Sequence, residues 1–270
     1  MTLSEAVKIL SSAGVENPLY DARQIFSMLG GIPMSELVLG GEVADGSRAA
    51  YAVEQRSKRI PLEYIMGSVD FYRERYIVRE GCLIPRDDTE ILVDYAVNNL
   101  PRGAFFVDLC TGSGCIALSV LNNTERTTAL AVDISDTAIE IARENASRLG
   151  LSDRISLSRS NVMADPVVSA CYAVLSNPPY VAECDYMALS DEIKCEPRIA
   201  FVGGDDGLDF YRAITEKYRN VIDDSGFIAF EIGYNQAVEI ADIASKNRMS
   251  CEILRDLSGN FRVAVLRKII

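Results

Sequence analysis

Asn177-Pro178-Pro179-Tyr180 joins a side-chain amide, two prolines and a phenol in four consecutive residues. The apolar run Tyr172-Ala173-Val174-Leu175 before it reads as a buried strand. The tetrapeptide then sits at the strand's carboxyl end, where open α/β sheets place their ligands. Both prolines fix φ near −65° and lack an N–H, which stiffens the loop. The Asn177 amide oxygen and the Pro178 carbonyl become two acceptors at close spacing, with the Tyr180 ring beside them. That combination suits a planar NH₂ group, each N–H meeting one acceptor while the flat group lies against an aromatic face. The alternative is a proline-rich turn after a strand.

A second cluster lies upstream. Phe105-Phe106-Val107-Asp108 reads as a strand ending in a carboxylate, Leu109 to Gly114 as a glycine-bearing turn, and Cys115-Ile116-Ala117-Leu118 as the start of a helix. Gly112 and Gly114 let backbone approach a ligand closely, and a helix N-terminus offers free N–H groups. The next strand, Thr128 to Val132, ends in Asp133, the position from which dinucleotide folds hold ribose hydroxyls. Ile134-Ser135-Asp136 begins a helix, so a capping acid is the alternative for Asp133. Helix-dipole complementarity suits Asp136 better, and Asp133 is assigned the ribose role. Neither G-x-G-x-x-G nor a G-x-x-x-x-G-K-[ST] loop is present, which argues against dinucleotide dehydrogenases and P-loop ATPases.

The elements that must position these residues divide in two. Residues 1–62 read as a small helical bundle. Leu3, Ala6, Val7 and Leu10 share a face, Asn17-Pro18 opens a second helix bearing Ala22, Ile25, Phe26 and Leu29, and Ile32-Pro33 opens another turn. Asp45 is read as the cap of a helix carrying Ala49, Ala52 and Val53. Residues 63–84 form a linker with a β-hairpin, Phe71-Tyr72 and Tyr76-Ile77-Val78 flanking Arg73-Glu74-Arg75. From Asp88-Thr89-Glu90 to residue 270, strands and helices alternate as in a doubly wound sheet. The runs Cys251–Leu254 and Phe261–Leu266 close it as an antiparallel hairpin. Residues 85–270 are the expected catalytic domain.

Composition narrows the chemistry. Among 270 residues, 49% hydrophobic, there is no histidine, so imidazole bases and triads are excluded. Seven scattered cysteines without a C-x-x-C pair read as free thiols in a reducing cytoplasm, and no metal is expected. No apolar run approaches membrane-spanning length and the amino terminus lacks a signal core, so no membrane partner is expected. A net charge of −12 opposes nucleic-acid binding, with Arg56 to Arg59 and Arg73 to Arg75 as the best local basic patches.

Glycine turn, strand-two acid and Asn-Pro-Pro-Tyr in this order resemble the class I S-adenosylmethionine-dependent methyltransferases that modify amino groups. The resemblance implies a Rossmann-like α/β fold with a mostly parallel seven-stranded sheet. Over nearly the whole chain the sequence is similar to the PrmC/HemK family, protein-(glutamine-N5) methyltransferases of peptide chain release factors. The matching stretches are Pro61 to Gly67, Leu83-Ile84-Pro85-Arg86-Asp87-Asp88-Thr89-Glu90, Asp108 to Gly114, Glu196-Pro197, Gly203 to Leu208, Glu231-Ile232-Gly233 and Asp256 to Arg262.

That resemblance implies a set of roles. Cys110, Thr111, Gly112, Ser113 and Gly114 would line the methionine part of S-adenosylmethionine, Asp133 its ribose, and Asn161-Val162 its adenine. Asn177 and Pro178 would accept the two N–H bonds of the substrate glutamine, with Pro179 and Tyr180 completing the substrate wall and Asn177 also bordering the cofactor. The implied partner is the Gly-Gly-Gln loop of the release factors, with no direct nucleic-acid contact. Glutamine methylation of a ribosomal protein, N6-adenine or exocyclic-guanine methylation of nucleic acid, and a non-catalytic cofactor-binding adaptor are the rival readings. Cys110 stands where the family usually has glycine and is expected to keep φ negative. Glu183, Asp191 and Glu196 lie downstream, where they could orient the loop or contact substrate; as surface acids they are read instead as structural or solvated.

Overall fold

The computed structural model describes residues 1–38, 47–164 and 166–269. Asp45, expected as a helix cap, lies outside the described residues. The chain separates into two compact units: residues 1–69 with 78–80 and 190–195, and the remainder.

The first unit is built on helices α1 (Leu3–Ser12), α2 (Pro18–Met28), α3 (Met34–Val38), α4 (Ser47–Ser57) and α5 (Leu62–Met66). Thr2 and Glu5 form a reciprocal capping box at the start of α1, and Pro18 opens α2 where its missing N–H costs nothing. Ala6, Leu10, Ala22, Ile25, Phe26, Leu37, Ala49, Ala52 and Val53 meet in one buried cluster. Arg56, expected as part of a basic patch, is instead buried in this unit. Its guanidinium lies 2.6 Å from Asp21 and 2.7 Å from Glu192, and Arg59 reaches the same Glu192 oxygen at 3.0 Å. Desolvating a guanidinium is costly without such partners, so its charge is neutralised internally.

β1 (Ser68–Phe71) and β2 (Glu74–Ile77) form a hairpin. The turn is Tyr72-Arg73, with Tyr72 at φ 58°, so Glu74 and Arg75 belong to the second strand rather than to the connection as the sequence predicted.

The second unit carries α6 (Glu90–Asn99), β3 (Phe105–Leu109), α7 (Cys115–Asn122), β4 (Thr128–Asp133), α8 (Asp136–Arg148), β5 (Ile155–Arg159), β6 (Cys171–Ser176), α9 (Asp209–Tyr218), β7 (Ile222–Glu231), α10 (Ala237–Lys246), β8 (Met249–Arg255) and β9 (Phe261–Lys268). The seven strands from β3 onward form one sheet in the order β5-β4-β3-β6-β7-β9-β8. The first five run parallel, and β9 inserts antiparallel between β7 and β8. The sheet thus has the mostly parallel, seven-stranded form with an antiparallel end that the sequence implied. The central strands β3 and β6 are buried almost throughout because helices cover both faces. The order reverses direction between β3 and β6, which opens a crevice at their carboxyl ends. Asp108 and Leu175 are register partners there, as are Ser176 and Phe230 one strand further on.

Candidate active site

Two groups of residues meet at these strand ends. The first is the turn after β3. Cys110 has φ 60°, contrary to the negative value expected of a non-glycine residue. A left-handed cysteine costs roughly 1–2 kcal/mol, so its surroundings must over-determine it. Thr111 N–H donates to the Val132 carbonyl at 3.0 Å, and Gly112 N–H to Asp133 Oδ2 at 2.9 Å. Thr111 Oγ1 donates to Asp108 Oδ2 at 2.5 Å, and that oxygen also takes the Ala117 N–H at 3.2 Å. The turn is stitched to β4 on one side and to the first turn of α7 on the other.

Asp133 does not cap α8, since Ser135 does so by accepting from Ala138. Its Oδ1 takes the Ser135 N–H at 2.9 Å and its Oδ2 the Gly112 N–H, so the carboxylate is oriented by backbone while each oxygen keeps a further lone pair. Burial raises its pKa above the ordinary aspartate value.

Cys110, Thr111, Gly112, Ser113, Asp133, Val162, Asn177 and Pro179 all line a single cleft of about 120 Å³. Gly114 serves packing instead. A Cβ there would stand 3.1 Å from Leu118 and 3.2 Å from Ala142, so the glycine permits close approach of α7 to α8.

The second group is the loop after β6. Asn177 is half-buried, and Pro178 and Pro179 are buried. Asn177 Nδ2 donates to Thr89 Oγ1 at 3.3 Å. Among the described residues, nothing donates to Asn177 Oδ1 or to the Pro178 carbonyl. Asn177 also lines a smaller recess of about 50 Å³ with Tyr180, Leu83, Arg86, Phe201 and Glu231. It therefore borders both spaces.

The loop is clamped by main chain. A Cβ on Gly203 would fall 2.4 Å from the Pro179 carbonyl oxygen, and one on Gly207 2.3 Å from that of Tyr180. Only glycine fits at either position. The Tyr180 carbonyl also accepts from Gln236 Nε2 at 2.9 Å.

Sequence reasoning gives no role to two further residues of the site, Thr89 and Glu231. Glu231 ends β7 beside Asn177, and both its oxygens are engaged, Oε1 by the Tyr180 hydroxyl at 3.2 Å and Oε2 by the Thr89 hydroxyl. Complete burial pushes its carboxyl up to about 7, and burial likewise pushes Asp108 to about 7. The signal available in sequence is an acid closing an otherwise apolar strand, Gly226 to Ile232. Glu196, expected at the surface, is buried: its Oε2 takes the Ile84 N–H at 2.8 Å and its Oε1 pairs with Arg86. It braces the segment leading to Thr89. Glu183 is exposed and pairs with Arg198, and Asp191 is exposed near Lys194.

Sheet order, glycine turn and strand-two acid define a class I S-adenosylmethionine-dependent methyltransferase. The donor set fits that cofactor: Asp133 offers oriented acceptor oxygens for vicinal hydroxyls, and Val162, Ile134 and Pro179 offer apolar surface for a ring. The Methyltransferase small domain matches residues 87–196, and the PrmC N-terminal domain matches residues 2–67. A release factor glutamine methyltransferase of Fusobacterium nucleatum is 33% identical over 99% of this chain and 78% of its own length. Another, from Agrobacterium fabrum, is 31% identical over 98% of this chain and 96% of its own. The chain belongs to the release factor glutamine methyltransferase family. A solved ribosomal protein L11 methylase from Lactobacillus delbrueckii subsp. bulgaricus shares the fold at TM-score 0.53 and 19% identity, covering 73% of this chain and 89% of that one.

Proposed function

We propose that this chain methylates the side-chain amide nitrogen, N5, of the glutamine in the Gly-Gly-Gln loop of peptide chain release factors. The observation that carries the reading is Asn177, whose uncommitted Oδ1 belongs to the one residue of the loop that borders both the cleft and the smaller recess, followed in the chain by the equally uncommitted Pro178 carbonyl. An amide nitrogen is a poor nucleophile because its lone pair is delocalised into the carbonyl. Two fixed acceptors orient that nitrogen and favour the positive charge that develops on its N–H bonds. Positioning of this kind reaches effective molarities of ~10⁵ M or more. The Tyr180 ring bounds the plane of the amide. No side chain needs to remove a proton first, since the nitrogen becomes acidic only as its new bond forms and the proton then leaves to solvent. S-adenosylmethionine, when bound, supplies the activated methyl group. Residues 110–113 would hold its amino-acid end, Asp133 its ribose, and the wall at Val162 its adenine.

Residues 1–62 are proposed as the recognition domain for the protein substrate. Direct contact with nucleic acid is not part of the proposal, which is supported by the net charge of −12 and by the internal pairing of Arg56 and Arg59. No described helix is long and apolar enough to cross a membrane, and a cytoplasmic setting is proposed from the likeness to release factor glutamine methyltransferases. The test is incubation with radiolabelled S-adenosylmethionine and, in parallel, purified release factor, ribosomal protein and DNA. Label on release factor that vanishes when the Gly-Gly-Gln glutamine is replaced supports the reading. Label that persists after the replacement, or enters only the other substrates, refutes it.

A further inference from the structure

Asn177 is braced by two buried residues that the reaction has not yet used. Thr89 immediately precedes α6, where a threonine ordinarily accepts a backbone N–H of the first turn. Its hydroxyl makes no such bond. Oγ1 donates its single hydrogen to Glu231 Oε2. With that hydrogen committed, only lone pairs remain for Asn177, whose Nδ2 lies 3.3 Å away. A carboxamide has a donor end and an acceptor end of nearly equal shape, so it needs a partner of defined polarity to choose between them. A hydroxyl that has given its hydrogen away accepts the NH₂ end alone. Glu231 is itself immobilised, Oε1 by the Tyr180 hydroxyl at 3.2 Å and the main-chain oxygen by the Tyr211 hydroxyl at 3.0 Å.

We propose that Thr89, with its hydrogen held by Glu231, is a positioning residue that selects which end of the Asn177 carboxamide faces the cleft. The inference rests on the acceptor role of Asn177 given above. The reversed amide would present an NH₂ group to the substrate's own NH₂, two donors without an acceptor.

The arrangement has a pH signature. An ionised Glu231 only accepts, whereas a protonated one also donates and frees the Thr89 hydrogen to turn toward Asn177 Oδ1. The groups acting on this carboxyl are Asp88, Arg262, Tyr180, Tyr211 and Cys115. Burial sets its titration at about 7, so kcat should fall as pH drops through that value.

The experiment measures kcat, KM for purified release factor, and the kcat–pH profile with radiolabelled S-adenosylmethionine. Thr89→Val, Thr89→Ser, Glu231→Gln and Asn177→Ala are compared with wild type. Thr89→Val keeps the shape and removes the hydroxyl, and is expected to lower kcat about 10-fold, the worth of one hydrogen bond, with KM little changed. Thr89→Ser should restore kcat to within about 3-fold. The acidic limb should disappear in Glu231→Gln. If Asn177→Ala disables the enzyme while Thr89→Val keeps wild-type kcat and profile, the positioning role is wrong and the acceptor role stands. Near-normal turnover of Asn177→Ala overturns the acceptor role itself. Should Thr89→Val fail to fold, Glu231→Gln decides: an unchanged acidic limb overturns the proposal.

Discussion

The glycine turn and the Asn-Pro-Pro-Tyr loop sit at neighbouring strand ends, yet they are held in opposite ways. The turn is fixed mainly by backbone donors, joined by the Thr111 hydroxyl, that meet the Val132 carbonyl and two carboxylates, Asp108 and Asp133. The loop is fixed by side chains and glycines brought from far along the chain: Thr89, Gly203, Gly207, Glu231 and Gln236. Each region rests on a buried carboxyl. Asp108 leaves Oδ1 without a partner, whereas both Glu231 oxygens are engaged by residues of the loop's own wall. A cofactor common to many enzymes can be met by a local motif. A particular substrate amide needs acceptors of defined direction, and direction is set by a network.

Four substitutions test that contrast. The largest effect is expected from the unpartnered carboxyl. Asp108 titrates at about 7 when folded, above its unfolded value, so its favourable contribution is complete at acid pH and is lost as pH rises toward 7. Asp108→Asn should therefore gain stability over wild type between about pH 4 and pH 8, on the order of 4 kcal/mol. Denaturant titrations across that range measure it, and parallel curves would mean the buried charge is compensated in some other way.

Asn177→Ala should lower kcat about 100-fold or more, the usual result of removing a directed transition-state hydrogen bond. Turnover within a few-fold of wild type would sink the acceptor assignment. Asp133→Ala removes the anchor of Gly112 and Ser135 together with the oriented oxygens. Calorimetry should show cofactor affinity weakened about 30-fold, in line with about 2 kcal/mol for a charged hydrogen bond. If kcat drops at saturating cofactor and affinity does not, Asp133 belongs functionally with the loop. The smallest change is expected from Cys110→Gly: relief of the left-handed strain offsets lost packing, so affinity stays within about 3-fold. A larger loss would show that the thiol itself touches the cofactor.

Legibility followed the same division. β4 occupies the span read from its residues, and the turn was visible because its members are consecutive and their types are demanded by local geometry. The sign of φ at Cys110 was not visible. Left-handed backbone in a cysteine is tolerated only because β4 and α7 supply bonds that no local rule contains. Glu196 looked like a surface acid for the same reason, since its partners at Ile84 and Arg86 lie in a distant segment.

What the amino-acid order determined alone is the alternation of strands and helices, the two chemical clusters and the family to which they point. These depend on periodicity, on proline and glycine stereochemistry, and on neighbours within a few residues. Only the tertiary structure decided which end of Asn177 faces outward, that Thr89 and Glu231 stand behind it, and that Arg56 keeps its charge inside the helical unit. Hydrogen-bond polarity and desolvation depend on partners met after folding, and those partners are far apart in the chain.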